Sequence, residues 1–213
     1  MIQIPDNLEK YILDHSDEED SLLYELFRET HKRVLHPRML SGHLQGKLLE
    51  MVTKMVNPEN VLEIGTYTGY SAICIAKGLR NNGILHTIEI NDELEEFILQ
   101  YFKRSGFQKK IKLHIGNAIE LADQLPDNFN LIFIDGDKRE YPEYLKVFKK
   151  KLVKGGFLIA DNVFWDGKVL KATHKSDAHT KGIQIFNNLV QEDPELENIM
   201  LPIRDGLMVV RKK

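Results

Sequence analysis

The sequence predicts an α/β fold in which a mostly parallel sheet carries helices on both faces and ends in an antiparallel hairpin. Three observations predict it. From Val61 onward, short β-branched runs alternate with helical stretches, the rhythm of βαβ units. The alternation repeats through five successive runs, as a parallel sheet covered on both faces requires. The last two runs are joined by Arg204-Asp205-Gly206, and an Asp-Gly pair is a strong hairpin signal.

Each element can be justified in turn. Two amphipathic segments open the chain, about Leu8 to Ile12 and Ser21 to Leu35, and read as a helical cap because Leu22, Leu23, Leu26 and Phe27 share one helical face. A third helical pattern, Gly42 to Val56, is stopped by Asn57-Pro58, since proline lacks the N–H a helix interior needs. VLEI, ILHTIEI, IKLHI, NLIFID and GFLIAD follow as strands. Between them lie helices at about Ser71 to Leu79, Glu93 to Phe102, Ala118 to Leu125 and Tyr141 to Leu152. A helix from about Thr180 to Val190 leads to NIMLPI and GLMVV. Residues 162 to 180 form the longest irregular stretch, and long loops in compact domains are usually functional. The expectation is one domain over residues 1–213, with 1–56 as helical cap and 57–213 as core.

Composition narrows the function classes. With 42% hydrophobic and 29% charged residues, no apolar run approaches the about 20 residues of a membrane span. The first thirty residues show no basic start followed by an apolar core, so a cytoplasmic address is expected. Cys74, the lone cysteine, sits among apolar neighbours and reads as a buried structural thiol. A net charge of −3 argues against a broad phosphate-binding footprint. Lys149-Lys150-Lys151 with Lys154 reads as a solvated helix cap offsetting the dipole.

In open α/β sheets ligands bind beyond the carboxyl ends of the strands, and those ends are polar here. The first strand runs into Glu63-Ile64-Gly65-Thr66-Tyr67-Thr68-Gly69-Tyr70-Ser71, a glycine turn whose backbone can approach a ligand. Its spacing is not the G-x-G-x-x-G of dinucleotide enzymes, which disfavours a nicotinamide cofactor. Glu89 closes the second strand, placed to accept hydrogen bonds from ribose hydroxyls. The third runs into Gly116-Asn117-Ala118, where an amide could meet an adenine edge. Each has a plainer reading: a tight turn, a solvated strand end, a helix cap. Together, at three successive strand ends, they suggest an adenosine site.

The fourth strand ends in Asp135 and the fifth in Asp161-Asn162. Neighbouring strands lie about 4.8 Å apart, so if these two pair, the three side chains can share one cation. Two carboxylates and an amide oxygen suit Mg²⁺, Mn²⁺ or Ca²⁺ and serve zinc poorly. None of the eight histidines forms a ligand pair on an obvious helix face, and all read as surface or structural residues. Capping by Asp135 and a turn at Asp161-Asn162 are the plainer alternatives. Lys138 follows Asp135 by three residues; beside a divalent cation it could take the proton of a phenol. Ionising such a phenol at pH 7 costs roughly 4 kcal/mol.

With these residues in view, the chain resembles the cation-dependent O-methyltransferases that include the catechol and caffeoyl-CoA enzymes. The likeness spans about Met39 to Arg211 and rests on EIGTYTGYS, FIDGDKREYPEY and ADNVFWDGKV in order, with LPIRDGL as the terminal hairpin. The resemblance implies a Rossmann-like methyltransferase fold and S-adenosyl-L-methionine lined by Ser41, Glu63, Gly65, Thr66, Ser71, Glu89, Asn117, Ala118 and Asp135. It implies Asp135, Asp161 and Asn162 as metal ligands, Lys138 as the catalytic lysine, and Trp165 as an aromatic wall for the acceptor. A homodimer is a further expectation. Two departures stand out: the late glutamate of catechol enzymes has no counterpart in Asp177-Ala178-His179-Thr180-Lys181, and Asn117 replaces the familiar acid before Ala118.

The expected reaction is methylation of one hydroxyl of a small aromatic vicinal diol, of catechol or caffeoyl type. A hydroxylated tRNA base is the second reading, favoured if Lys103, Lys109, Lys110 and Lys112 cluster at the cleft mouth. A non-catalytic S-adenosylmethionine-binding module is the third, and retention of Lys138 beside the metal set speaks against it.

Overall fold

The computed structural model describes residues 5–174 and 176–213. Eight α-helices and seven strands alternate along them: α1 (Asp6–Asp14), α2 (Ser21–Arg33), α3 (His43–Val56), β1 (Asn60–Ile64), α4 (Tyr70–Gly78), β2 (Ile84–Glu89), α5 (Glu95–Ser105), β3 (Ile111–Ile115), α6 (Ala118–Leu121), β4 (Phe129–Ile134), α7 (Tyr141–Lys151), β5 (Leu152–Ala160), α8 (Ala178–Glu192), β6 (Leu196–Leu201) and β7 (Leu207–Lys212). The strands form one sheet in the order β3-β2-β1-β4-β5-β7-β6. The pairs β2/β3, β1/β4 and β4/β5 are parallel; β5/β7 and β6/β7 are antiparallel. This is the Rossmann-like arrangement with a terminal hairpin that the alternating pattern predicts.

By contacts the chain divides into two compact units. One comprises Asn60–Gly65 and Asn117–Lys213. Its centre is β4, where Phe129, Leu131, Ile132, Phe133 and Ile134 are all buried, because a strand flanked by parallel neighbours is covered on both faces. Helix α7 packs on α8, with the Tyr141 and Phe186 rings meeting edge to face at 5.4 Å. The other unit comprises residues 5–59 and Thr66–Gly116. There α3 packs on α4, a helix apolar nearly all round and buried accordingly, Cys74 included. Helix α3 ends as expected, with Asn57 in the left-handed conformation just before Pro58.

Three details differ from the sequence expectation. Helix α6 stops at Leu121 and continues only as a 3-10 turn to Gln124, because Leu125 precedes Pro126 and is driven toward extended backbone. The 162–180 stretch is partly ordered: a 3-10 segment covers Trp165–Leu170, and α8 begins at Ala178 because Asp177 caps it, accepting from the Thr180 N–H. Lys149 and Lys151 are not solvated caps. Lys151 is buried and donates to the Leu125 carbonyl and Asp127, and Lys149 pairs with Asp193 and Glu195. Both tie the end of α7 to neighbouring segments. Among the described residues, no helix is long and apolar enough to cross a membrane.

Candidate active site

Strand register builds the first half of the site. Ile134 pairs with Ala160, so Asp135 and Asp161 emerge side by side from β4 and β5. The Asp135 N–H donates to Ile64 O at 2.8 Å and the Asp161 N–H to Ile134 O at 3.0 Å, continuing the ladders one residue past the strands. The Tyr141 hydroxyl is within hydrogen-bond distance of both the Ile134 and Asp161 carbonyls, at 3.2 and 3.1 Å. Burial and the Asp135 charge push the Tyr141 phenol far above its usual range, so it remains a donor. Asn162 sits in the left-handed conformation (φ 58°), and its N–H donates to Asp161 Oδ1 at 2.7 Å.

Lys138 Nζ donates to Asp135 Oδ1 at 2.6 Å and lies 5.0 Å from the centre of the Tyr141 ring. Its backbone is fixed by α8: a Cβ on Gly182 would come within 2.2 Å of the Lys138 carbonyl oxygen. The Asp135 carboxyl is pushed up to about 6, chiefly by burial; Lys138 and Arg204 pull it down, and the Asp161 charge pushes it up. Two carboxylates thus crowd each other out of water. That imbalance, together with the amide of Asn162 on the same strand end, fits a hard divalent cation held by oxygen. Among the described residues, no group of three or more His, Cys, Asp or Glu is arranged to hold a metal ion.

Around these residues, the Trp165 indole lies nearly parallel to the His179 imidazole at 6.0 Å between ring centres. His179 Nε2 is 3.9 Å from Asp137 Oδ1, and the Arg139 guanidinium forks onto Asp137. Glu63 is fully buried in β1. Gly65 follows at φ 101°, where a Cβ would meet the Asp135 carbonyl oxygen at 2.4 Å; only glycine lets these two strand ends approach. Asn117 does cap α6, its Oδ1 accepting from the Ile119 and Glu120 N–H groups. Its Nδ2 donates to Glu140 Oε1 at 3.5 Å. Ala118 is buried in the first turn of that helix.

The second unit holds the other candidates. Glu89 accepts from the Tyr67 N–H at 2.6 Å and the Asn91 N–H at 2.9 Å. Burial pushes its carboxyl up, and these N–H groups oppose that rise. Tyr67, at φ 51°, also donates its hydroxyl to Leu35 O at 2.9 Å, which fixes the glycine turn. Thr66 turns inward, its hydroxyl 2.6 Å from that of Thr87, so its side chain serves the fold. Ser71 and Ser41 are buried, at the first turn of α4 and just before α3.

Sequence reasoning passed over Tyr141, His179 and Arg204. Tyr141 lies inside the FIDGDKREY signature, but its task is backbone bridging, which no residue type announces. His179, in the first turn of α8, stacks beside Trp165, and the charge of Arg204, from the β6–β7 turn, acts on Asp135; both lie far from the motifs in sequence.

The arrangement defines a Rossmann-like fold with an oxygen-rich, lysine-bearing corner at its strand ends. The chain is 33% identical to caffeoyl-CoA O-methyltransferase 2 of Eucalyptus globulus over 97% of its own length and 89% of that protein. It superposes on the O-methyltransferase of Bacillus cereus, solved in complex with SAH, with a TM-score of 0.90, 28% identity and 97% of each chain covered. It also superposes on the O-methyltransferase TomG of Streptomyces achromogenes, solved in complex with SAM, with a TM-score of 0.87 and 25% identity over 97% of this chain and 96% of that one. The O-methyltransferase family profile matches residues 13–213, and the chain belongs to that family.

Proposed function

We propose that this protein transfers the methyl group of S-adenosyl-L-methionine to one hydroxyl of a small aromatic vicinal diol, with a divalent cation, Mg²⁺ foremost, held by Asp135, Asp161 and Asn162. One observation carries the reading: Asp135 and Asp161 follow paired positions of adjacent strands, and Lys138 Nζ donates to Asp135 at 2.6 Å. The donor is supported by family membership and by the SAM- and SAH-bound neighbours. In this reading Glu89 takes the ribose hydroxyls and Asn117 the adenine edge, the roles that the family resemblance implies.

When bound, the cation supplies Lewis acidity and a template for the two diol oxygens. Lys138, as the free amine, accepts the proton of the reacting hydroxyl at Nζ. The oxygen then attacks the methyl carbon as the carbon–sulfur bond breaks, the electron pair passes to sulfur, and S-adenosylhomocysteine leaves as a neutral thioether. Trp165 and His179 present aromatic surface to the acceptor ring. Holding both reactants contributes up to about 7–11 kcal/mol in well-aligned systems.

The test is a methyl-transfer assay over catechols, caffeoyl compounds and bulk tRNA, with Mg²⁺ or chelator present. Diol methylation that stops with chelator is the expected result; activity on tRNA alone, or turnover indifferent to chelator, overturns the reading.

A further inference from the structure

The segment that follows β5 is held in place from outside itself. It leaves the strand at Asp161-Asn162, passes through the Trp165–Leu170 3-10 segment and reaches α8 at Ala178. Its backbone is strained, with Asn162, Trp165 and Asp166 all at positive φ. Non-glycine residues stay in that region only where the surroundings over-determine them. Two elements supply the restraint. The β6–β7 turn takes the front: the Val163 N–H donates to Gly206 O at 3.1 Å, the Phe164 N–H to Asp205 O at 2.9 Å and the Asp166 N–H to Asp205 Oδ1 at 2.8 Å.

Helix α8 takes both ends, through two amides three residues apart and therefore on one face. Asn187 Nδ2 donates to Val163 O at 2.9 Å, in the peptide unit directly after Asn162. Gln184 Nε2 donates to Val169 O at 2.9 Å and to Lys171 O at 3.1 Å, and its Oε1 accepts from the Thr173 hydroxyl. The last carbonyls of a short helix have no partner inside it, so Gln184 closes the 3-10 segment while Asn187 anchors its approach. The same helix sets what lies to either side. His179, in its first turn, stacks on Trp165 at 6.0 Å, and Gly182 fits against the Lys138 carbonyl. One helix thus holds the seat of Trp165 and the backbone of Lys138 in a single frame.

We propose that Gln184 and Asn187 are positioning residues for the acceptor: by fixing both ends of the 163–173 loop they set where the Trp165 ring meets the diol, and so which of its two oxygens faces the methyl group. This rests on the function proposed above. Both amides act through main-chain carbonyls and not on the reacting atoms. The lever is long enough, since a misplacement of about 1 Å that starts far from the chemistry can cost about 100-fold in rate.

Asn187→Leu and Gln184→Met keep side-chain volume and remove the donors. With 3,4-dihydroxybenzoate as acceptor, each is expected to raise acceptor KM about 10-fold while kcat stays within about threefold and donor affinity is unchanged, the pattern of lost acceptor binding. The ratio of the two monomethyl ethers should move at least about threefold toward parity. Trp165 is the only tryptophan, so iodide quenching of its fluorescence reports the seat of the ring without turnover; a loosened loop opens locally, and the quenching constant should rise about twofold. A wild type that forms both ethers equally, or folded variants with wild-type KM and product ratio, overturns the proposal while the diol reading stands. A parallel fall in donor affinity overturns it too, as the mark of a general structural role. If no diol is methylated, the diol reading fails, and quenching equal to wild type then overturns the role of the two amides as well. Should Asn187→Leu fail to fold, Gln184→Met carries every measurement.

Discussion

At the tips of β4 and β5 acids face acids, whereas at the tip of β2 an acid faces backbone. Burial and the Asp161 charge push the Asp135 carboxyl up, and Lys138 opposes them. Glu89 instead receives the N–H groups of Tyr67 and Asn91. The first region is charged and suits the cation proposed above; the second is held by main-chain N–H groups as folded. The difference teaches that chemistry and recognition are stabilised separately: one by electrostatic imbalance, the other by the course of the main chain.

Breaking the first region should have the largest effect. Chelation, or Asp161→Ala, is expected to lower turnover by at least about 1000-fold, and Lys138→Ala to lower kcat by about 10²–10⁴ with donor affinity unchanged; single-turnover rates alongside donor titration check this. A Lys138→Ala protein with normal kcat removes the lysine from the chemistry. Gly65→Ala should damage both regions, since its Cβ meets the Asp135 carbonyl at 2.4 Å and φ is 101°. A loss of about 2–4 kcal/mol is expected in denaturant unfolding, and a variant as stable as wild type contradicts that packing.

Glu89→Gln sharpens the contrast from the other side. It should weaken donor binding about 10-fold or more, the worth of hydrogen bonds to a charged group, while kcat at saturating donor stays close to wild type. A fall in kcat with unchanged donor affinity would merge the two regions.

The smallest effect concerns a polar pair outside both. His86 Nδ1 lies 3.1 Å from His114 Nε2 on β2 and β3. Burial, then the His114 charge, then Lys112, push His86 down to about 4, and burial likewise lowers His114. Because the unfolded imidazole binds its proton near 6.5 and the folded one only near 4, this stability is present above pH 6.5 and drains away as pH falls toward 4. About 2 kcal/mol is at stake after allowing for partial solvent access. Melting temperatures between pH 4 and 7 should slope less in His86→Gln; identical slopes acquit the pair.

Much of this was legible before any coordinates. The mostly parallel sheet follows from the βαβ rhythm, though its strand order does not, and Asp135, Lys138, Asp161 and Asn162 are visible because each sits at or just beyond an apolar run. The Asn117 cap was open to either reading because one side chain can cap with its oxygen and present its amide elsewhere. What stayed hidden depends on long-range register. The Val163–Asp166 loop is tied to the terminal hairpin by bonds that no local pattern announces. Lys151 looks like a surface cation until the turn at Asp127 folds over it.

The Tyr141 phenol spans the carbonyls of Ile134 and Asp161 and so acts as a spacer bar between two strands. The spacing of the two strand ends that carry Asp135 and Asp161 is thereby a property of the scaffold. An ion held there, as proposed above, would meet a backbone frame already set, as a bolt meets a drilled hole.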